Sequence, residues 1–280
     1  EDSLIMKNVL SQSFNIKNGT SIPAIGLGTW QIPEGEVCYN AVRAALDAGY
    51  THIDTAFAYG NEKSVGKAVR DSGIDRKKIY VTSKVPAEIK TADGAREHIM
   101  RSVDNLGLGY VDLMLIHAPK PWREMNDKFP YRYEKENAAV FNELLSAVSS
   151  GAVVTAGVSN FIESDIDNLV SSCNALPLVN QIRACVGDFK KNLIDYCIKK
   201  EIVVEGYSPL ATGSLIGSDL LKPLCEKYKR SFSQICLCYL LAHSLLPLPK
   251  STHAEFIKEN TDLDFELEDK DVAYLDSLTK

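Results

Sequence analysis

At 280 residues, with 45% apolar and 24% charged content, the chain has ordinary globular composition and enough apolar material for a large core. A formal charge of −6 argues against the basic stripe that a broad nucleic-acid footprint requires, and no apolar run approaches the roughly 18–20 residues that span a bilayer. A cytoplasmic protein without nucleic-acid or membrane partners is therefore expected.

The first residues, Glu1 to Ile5, carry neither a basic segment nor a long apolar one, so no secretory leader is expected, and Met6 is a candidate native start. Phe14-Asn15-Ile16-Lys17 alternates, Asn18-Gly19 follows, and Thr20-Ser21-Ile22 returns. Asn-Gly tolerates the positive φ of a two-residue type I′ turn, so this segment reads as a β-hairpin. Short apolar runs then alternate with segments of helical period, at 24–30, 51–55, 79–85, 111–117, 153–159, 178–182, 202–207 and 245–250. Between them apolar residues recur at helical spacing, as Val140, Leu144, Leu145 and Val148 do. Eight strands, each followed by helix, predict an α/β fold of the (β/α)8 TIM-barrel type with an N-terminal hairpin. A doubly wound sheet also alternates, but usually with fewer strands at this length. No linker or compositional shift divides the chain, and residues 1–280 read as one domain.

Two connections exceed what a tight barrel needs. Residues 118–133 hold three prolines and four aromatics (Trp122, Phe129, Tyr131, Tyr133), and long ordered loops in compact domains are often functional. Before the last strand, two helical stretches, 218–228 and 231–243, stand in place of one and leave the loop 211–215 over the same face. The tail, 268–279, predicts a closing amphipathic helix with Val272, Leu275 and Leu278 on one stripe.

The seven cysteines are odd in number and form no Cys-x-x-Cys pair, so reduced, mostly buried thiols are expected. The five histidines form no ligand cluster, and no metal site is expected.

Chemistry gathers at the ends of successive strands. The run through His52-Ile53 delivers Asp54 and turns through Tyr59; the next ends in Lys84, and the one after in His117. Singly, each has a structural explanation: a helix cap, a packed ring, a snorkelling ammonium, a local hydrogen bond. Jointly they fall at the C-terminal strand ends, where barrel enzymes place their sites. An ammonium about 4 Å from a phenol, at an effective dielectric of about 20, favours the phenolate by roughly 4 kcal/mol, on the order of three pKa units. On this reading Tyr59 is the acid, Lys84 lowers its pKa, Asp54 keeps the lysine charged and His117 holds a substrate oxygen. Such a set suits reduction of a carbonyl, with a proton reaching oxygen as hydride reaches carbon.

At this point the sequence resembles the aldo-keto reductases, most closely their bacterial branch of diketogluconate-reductase and xylose-reductase type. The likeness spans nearly the whole chain. It is carried by Gly26-Leu27-Gly28-Thr29-Trp30, by His52-Ile53-Asp54-Thr55-Ala56 with Tyr59-Gly60-Asn61-Glu62, and by Leu106-Gly107-Leu108-Gly109. Gly157-Val158-Ser159-Asn160, Val179-Asn180-Gln181, Tyr207-Ser208-Pro209-Leu210, Pro249-Lys250-Ser251 and Glu259-Asn260 continue it. The resemblance implies a catalytic tetrad of Asp54, Tyr59, Lys84 and His117, and NADP(H) as cofactor with NAD(H) at lower preference. It implies that Tyr207 stacks on the nicotinamide while Ser159, Asn160 and Gln181 hold its carboxamide. Ser208, Leu210, Gly213 and Ser214 would lie along the pyrophosphate, and Lys250, Ser251 and Thr252 at the adenosine phosphate. Thr29, Trp30, Asp54, Glu259 and Asn260 complete the implied cofactor contacts. Trp30, Phe57, Tyr59, His117 and Trp122 are the implied contacts of a small-molecule substrate, a sugar-like or other small carbonyl compound. A monomer is expected.

The chain departs from that pattern in three places. Ala118 stands where relatives usually carry tryptophan, which opens part of the pocket wall. Arg183-Ala184-Cys185-Val186 replaces the usual Glu-Tyr/Phe-His-Pro, and Phe256 replaces an arginine. Rival motifs are weak. Gly26-x-Gly28 lacks the third glycine of a Rossmann fingerprint, Gly206-Tyr207-Ser208-Pro209 lacks the last glycine of a hydrolase elbow, and a Schiff-base role for Lys84 leaves Asp54 and Tyr59 unexplained. The alternative from another class is a non-catalytic nicotinamide-binding module that senses redox state.

Overall fold

Eight parallel strands alternate with helices and curl until the first meets the last in the computed structural model, which describes residues 8–126 and 128–279. The expectations for Met6 and the segment before it lie outside the described residues. A hairpin of β1 (Ser13–Asn15) and β2 (Ser21–Pro23) precedes the barrel strands β3 (Leu27–Gly28), β4 (His52–Asp54), β5 (Tyr80–Val85) and β6 (Val111–Ile116). The barrel continues with β7 (Val153–Ser159), β8 (Val179–Arg183), β9 (Val203–Tyr207) and β10 (Leu246–Leu248), each strand pairing with the next in order. The intervening helices are α1 (Glu36–Asp47), α2 (Glu62–Asp71), α3 (Ala92–Leu106), α4 (Glu134–Ser150), α5 (Glu163–Cys173) and α6 (Lys191–Lys199). After β9 come α7 (Lys222–Tyr228) and α8 (Phe232–Ala242), then α9 (Ala254–Glu259) follows β10 and α10 (Asp269–Ser277) closes the fold.

The barrel's seam is sparse. The Gly26 amide donates to Pro247 O at 3.2 Å and the Gly28 amide to Pro249 O at 2.9 Å. Prolines have no N–H to return, so the expected strand over 24–30 shrinks to the two residues of β3. Glycine is required at position 26, where a Cβ would lie 2.6 Å from His52 Nδ1, and a Cβ at position 28 would be tight, 3.2 Å from Leu248 O.

Strand alternation sorts the core into two layers. Met114 and Ile116 of β6 join the layer between sheet and helices, with Val140 and Leu144 of α4. Leu113 and Leu115 face the barrel interior with Val179, Val203, Leu246 and Leu248, and Ile16 and Ile22 of the hairpin pack beneath them. The hairpin therefore plugs the end where the strands begin and leaves the opposite end open. Its connection is a three-residue loop instead of the expected two-residue turn. Gly19 N–H reaches Ile16 O at 2.9 Å, Ile16 N–H reaches Thr20 O at 2.8 Å, and only Gly19 of the pair has positive φ, at 86°. Asn18 instead uses its side chain, accepting from the Thr20 amide and donating to Thr155 Oγ1 on the barrel, both at 3.1 Å.

The closing helix packs as expected, with Leu275 fully buried and Val272 and Leu278 against the same core. Helix α8 starts at a reciprocal cap: Gln234 N–H donates to Ser231 Oγ at 3.3 Å and Ser231 N–H to Gln234 Oε1 at 2.9 Å. Helix α7 starts later than the 218–228 stretch suggests, with Pro223 in its first turn. Among the described residues no helix is long and apolar enough to cross a membrane.

Candidate active site

Strand periodicity points a ladder of polar side chains inward: His52 and Asp54 on β4, Thr82 and Lys84 on β5, Gln181 and Arg183 on β8, Glu205 and Tyr207 on β9. A cavity of about 850 Å³ opens where these strands end. It is lined by Trp30, Asp54, Tyr59, His117, Trp122, Ser159, Asn160, Gln181, Tyr207, Ser208, Leu210, Gly213 and Lys250, all candidates from the sequence.

Tyr59 reaches the cavity on a single 3-10 turn, Phe57–Tyr59, which Gly60 ends in the left-handed region at φ 70°. The next two residues explain the turn's placement. Buried Asn61 accepts from Thr55 Oγ1 at 2.6 Å and donates to Thr29 O and Ile32 O at 3.0 and 2.9 Å, tying this loop to the one after β3. Buried Glu62 accepts from Ser83 Oγ at 2.6 Å and Asn105 Nδ2 at 2.9 Å, anchoring the turn to β5 and α3.

Lys84 lies fully buried behind the cavity wall. Its ammonium donates to both Asp54 carboxylate oxygens at 2.9 Å, to Thr55 O at 2.7 Å, and to Tyr59 OH at 3.4 Å. Burial pulls this lysine toward neutrality, but Asp54 and Tyr59 outweigh it and hold the ammonium above its ordinary pKa. An ammonium can only donate, so the Tyr59 oxygen accepts from Lys84 and keeps its own hydrogen free for the cavity. The Tyr59 pKa corrects the expectation from sequence. Burial raises it, Lys84 opposes this, Asp54 adds to it, and the phenol ends above its ordinary value. The lysine alone would lower it, but the low-dielectric surroundings and the second charge, on Asp54, reverse the sign.

His117 packs edge-on to Tyr59 with ring centroids 5.6 Å apart, and edge-on to Trp122 at 5.2 Å. Its buried Nδ1 has no hydrogen-bond partner among the described residues. Burial, with Lys84 nearby, pulls the imidazole down to about 3, so it is neutral across the working pH range. Ala118 is fully buried instead of opening the wall, and Trp122 supplies the aromatic surface beside His117.

On the opposite wall, the polar groups of the trough bond to one another. Asn160, at φ 61°, donates to His117 O and Ser159 Oγ at 3.1 Å and accepts from Tyr207 OH at 2.8 Å. Ser159 Oγ donates to Gln181 O at 2.8 Å. Ser208, Ala211 and Thr212 adopt left-handed φ of 52°, 48° and 59°, a cluster of strained non-glycine residues on the rim.

Several candidates lie off the cavity. Thr29 is buried, its Oγ1 donating to Asp54 O at 2.9 Å, which props the strand end. Phe57 turns away, its ring 4.7 Å from the His98 ring and 4.7 Å from the Arg101 guanidinium. Ser214 Oγ donates to Ala211 O at 3.0 Å within the rim loop. Ser251 and Thr252 lie beyond Lys250, with Ser251 Oγ accepting from the His253 amide at 3.0 Å, and Glu259 and Asn260 stand at the end of α9. Sequence reasoning missed Gln31, Ile216 and Leu248 in the lining. It noted Arg183 only as a departure; Arg183 lines the cavity, with Nε donating to Asp188 Oδ2 at 2.8 Å. Glu205 was missed too. Its signal was a lone carboxylate in an apolar run, two residues from Tyr207 and hence on the same face.

Comparison with known proteins agrees with this architecture. The model of a family described as the aldo/keto reductase family matches residues 24–280. A glyoxal reductase of Bacillus subtilis is 33% identical over 98% of this chain and 95% of that protein. An aldose reductase of Encephalitozoon cuniculi is 34% identical over 96% of this chain and 94% of that protein. Among solved structures, an aldo/keto reductase from Brucella melitensis superposes with a TM-score of 0.87 at 34% identity, covering 95% of this chain and 99% of that one. An aldo-keto reductase of Bombyx mori, solved in complex with NADP, gives 0.84 at 31% identity, covering 96% and 93%.

Proposed function

The chain belongs to the aldo/keto reductase family, and from that premise we propose that it reduces aldehydes or ketones to alcohols with NADP(H), using Tyr59 as the acid. The observation that carries this reading is the Lys84 ammonium donating to the Tyr59 oxygen while held by Asp54, which leaves the phenol hydrogen free at the cavity. The residues present fit a nicotinamide dinucleotide. The Tyr207 ring, the amides of Asn160 and Gln181 and the Ser159 and Ser208 hydroxyls border one continuous cavity that runs to Lys250. The NADP complex of the Bombyx mori relative supports the same choice.

When bound, the cofactor supplies hydride to the carbonyl carbon. Tyr59 donates its proton to the carbonyl oxygen, and Lys84 stabilises the phenolate left behind. Asp54 holds the lysine in place and Gln181 holds Asp54, donating to Oδ1 at 2.8 Å. His117, being neutral, donates a hydrogen bond to the substrate oxygen without competing for the proton. Trp30 and Trp122, nearly half exposed, wall the substrate end and exclude water. Tetrad and trough come from one chain, so one protomer acting as a single domain suffices.

A redox-sensing module needs a cofactor trough but no acid. Burying an ion pair against a phenol carries a desolvation cost that a module without need of an acid would have no reason to keep, which favours the enzyme. Mixing the protein with NADPH and a panel of sugar-like and small carbonyl compounds is expected to bleach the reduced-nicotinamide absorbance. A flat trace with every compound, cofactor binding being intact, would favour the sensor instead.

Cofactor choice gives a second prediction. The extra phosphate of NADPH carries nearly two charges, and Lys250, which lines the cavity and is followed by Ser251 and Thr252, is the cation that would meet it on this reading. Phe256, 52% exposed with its ring 5.6 Å from that of His253, offers a stacking face but no charge. NADPH is therefore expected to bind more tightly than NADH, with measurable NADH use. A charge-assisted contact is worth about 1.5–3 kcal/mol, so Lys250→Ala should cost NADPH roughly ten- to a hundredfold in affinity and leave NADH little changed. Phe256→Arg should widen the preference. Fluorescence-quenching titrations read both; equal affinities in the parent, unaltered by Lys250→Ala, would remove this loop from phosphate recognition.

A further inference from the structure

One layer below the tetrad, the barrel holds a second set of ionisable groups that the reaction above does not use. Glu205 is fully buried on the inward face of β9. Its Oε2 accepts from Gln181 Nε2 at 2.7 Å, and the same nitrogen donates to Asp54 Oδ1 at 2.8 Å. One amide nitrogen thus spends both its hydrogens bridging two carboxylates. The other oxygen, Oε1, has no hydrogen-bond partner among the described residues and lies 3.7 Å from His52 Nε2. The titratable groups that face Glu205 are His52 and Asp54 on β4 and Tyr80 and Lys84 on β5.

Charge counting decides the protonation. Two carboxylates and one ammonium would leave an uncompensated negative charge in a closed interior, which is costly. One further proton must reside there, on Glu205 or on His52. His52 Nε2 lies 3.1 Å from Thr82 Oγ1, but Nδ1 has no hydrogen-bond partner among the described residues and faces Gly26 so closely that a Cβ there would approach to 2.6 Å. An imidazolium would therefore bury the Nδ1 N–H without an acceptor, a penalty that the neutral ring avoids by carrying its one hydrogen on Nε2, beside Thr82 Oγ1, which leaves the further proton to Glu205.

We infer that Glu205 carries this proton in the working enzyme and acts as a positioning residue, keeping Asp54 fully committed to Lys84 and so Lys84 to Tyr59. This rests on the reductase reading above. Burial, reinforced by Asp54, pushes the Glu205 carboxyl up to about 8, while burial and Lys84 push His52 down to about 3, the order the geometry requires. When Glu205 ionises, a second anion sits across Gln181 from Asp54. It draws on the same ammonium and opposes phenolate formation at Tyr59, so turnover falls on the alkaline side.

Glu205→Gln, nearly isosteric and always neutral, tests this. Measured against its own value at pH 7, parent turnover with a reducible aldehyde should fall about tenfold by pH 9, one pH unit above the titration, and the variant should retain most of its own. A thermal arm needs no substrate. A carboxyl whose pKa is raised by folding stabilises the fold below its unfolded value and loses that contribution as pH rises to about 8. The melting temperature of Glu205→Gln relative to the parent should therefore climb between pH 5 and 8 and then level off. His52→Gln keeps a neutral donor beside Thr82 and should leave the parent's alkaline limb where it is; loss of the limb in that variant would assign the proton to His52 and overturn the inference. An alkaline limb identical in parent and Glu205→Gln also overturns it, whether or not the melting difference appears. Should the parent reduce no carbonyl, the reductase reading fails and the positioning role with it, while the melting arm still reports where the proton sits.

Discussion

Tyr59→Phe is expected to lower turnover by about 10²–10⁴-fold, the usual cost of removing a positioned acid, while cofactor binding survives. The substitution deletes one oxygen and keeps the ring. Lys84 loses its 3.4 Å contact with the phenol but keeps both Asp54 oxygens and Thr55 O, so the buried ion pair stays intact. Stability should therefore change little, and a loss of activity cannot be blamed on unfolding. The raised pKa of the parent phenol strengthens the expectation, because the group stays protonated well into the alkaline range and remains a donor there. Rates at saturating NADPH, with the cofactor dissociation constant measured alongside, check it. Retention of most of the parent rate would exclude Tyr59 as the acid.

Lys84→Met should nearly abolish turnover and also weaken the fold. The chemical effect comes from losing the cation that contacts the phenol, at a cost comparable to deleting an oxyanion donor, about 10²–10³-fold. The structural effect comes from Asp54, left buried with Gln181 as its one side-chain partner among the described residues. Breaking a buried ion pair from one side typically costs about 3–5 kcal/mol. The linkage is also predictable. The folded-state pKa of Lys84 lies above its ordinary value, so its contribution is complete at neutral pH and is lost as pH rises through that value. The destabilisation of Lys84→Met should accordingly be constant from neutral pH to mildly alkaline pH and shrink only in strong alkali. Chemical denaturation across that range measures it, and an unchanged midpoint would mean that the Asp54–Lys84 pair carries no structural weight. Lys84→Arg is a useful contrast: it restores charge, but the larger fork does not fit a site that is wholly buried.

Much of the architecture is legible before any coordinates. Strands at β5, β6 and β7 follow the apolar runs almost to the residue, because long β-branched runs between turn signals have few other readings. The period of two then assigns faces, so Asp54, Lys84, Gln181 and Tyr207 can be placed pointing inward from the chain alone. Hairpin geometry was less accessible. Asn18-Gly19 is compatible with two turn types, and the choice fell to the Asn18 contact with Thr155, more than a hundred residues away in sequence.

The site divides the same way. Residue type and strand-end position determined that Asp54, Tyr59, Lys84 and His117 would gather at one end of a barrel, and that a cation would be available at Lys250. What only the closed barrel decided is which groups touch across its axis. Gln181 meets Asp54 from 127 residues away, Glu205 approaches His52, Trp122 stands against His117 where Ala118 was expected to leave a gap, and Phe57 faces α3 instead of the cavity. The direction of the Tyr59 shift belongs to this second group. Sequence supplies the charges, but their effects depend on how much water remains around each one, and desolvation is a property of the packed interior that no local pattern encodes.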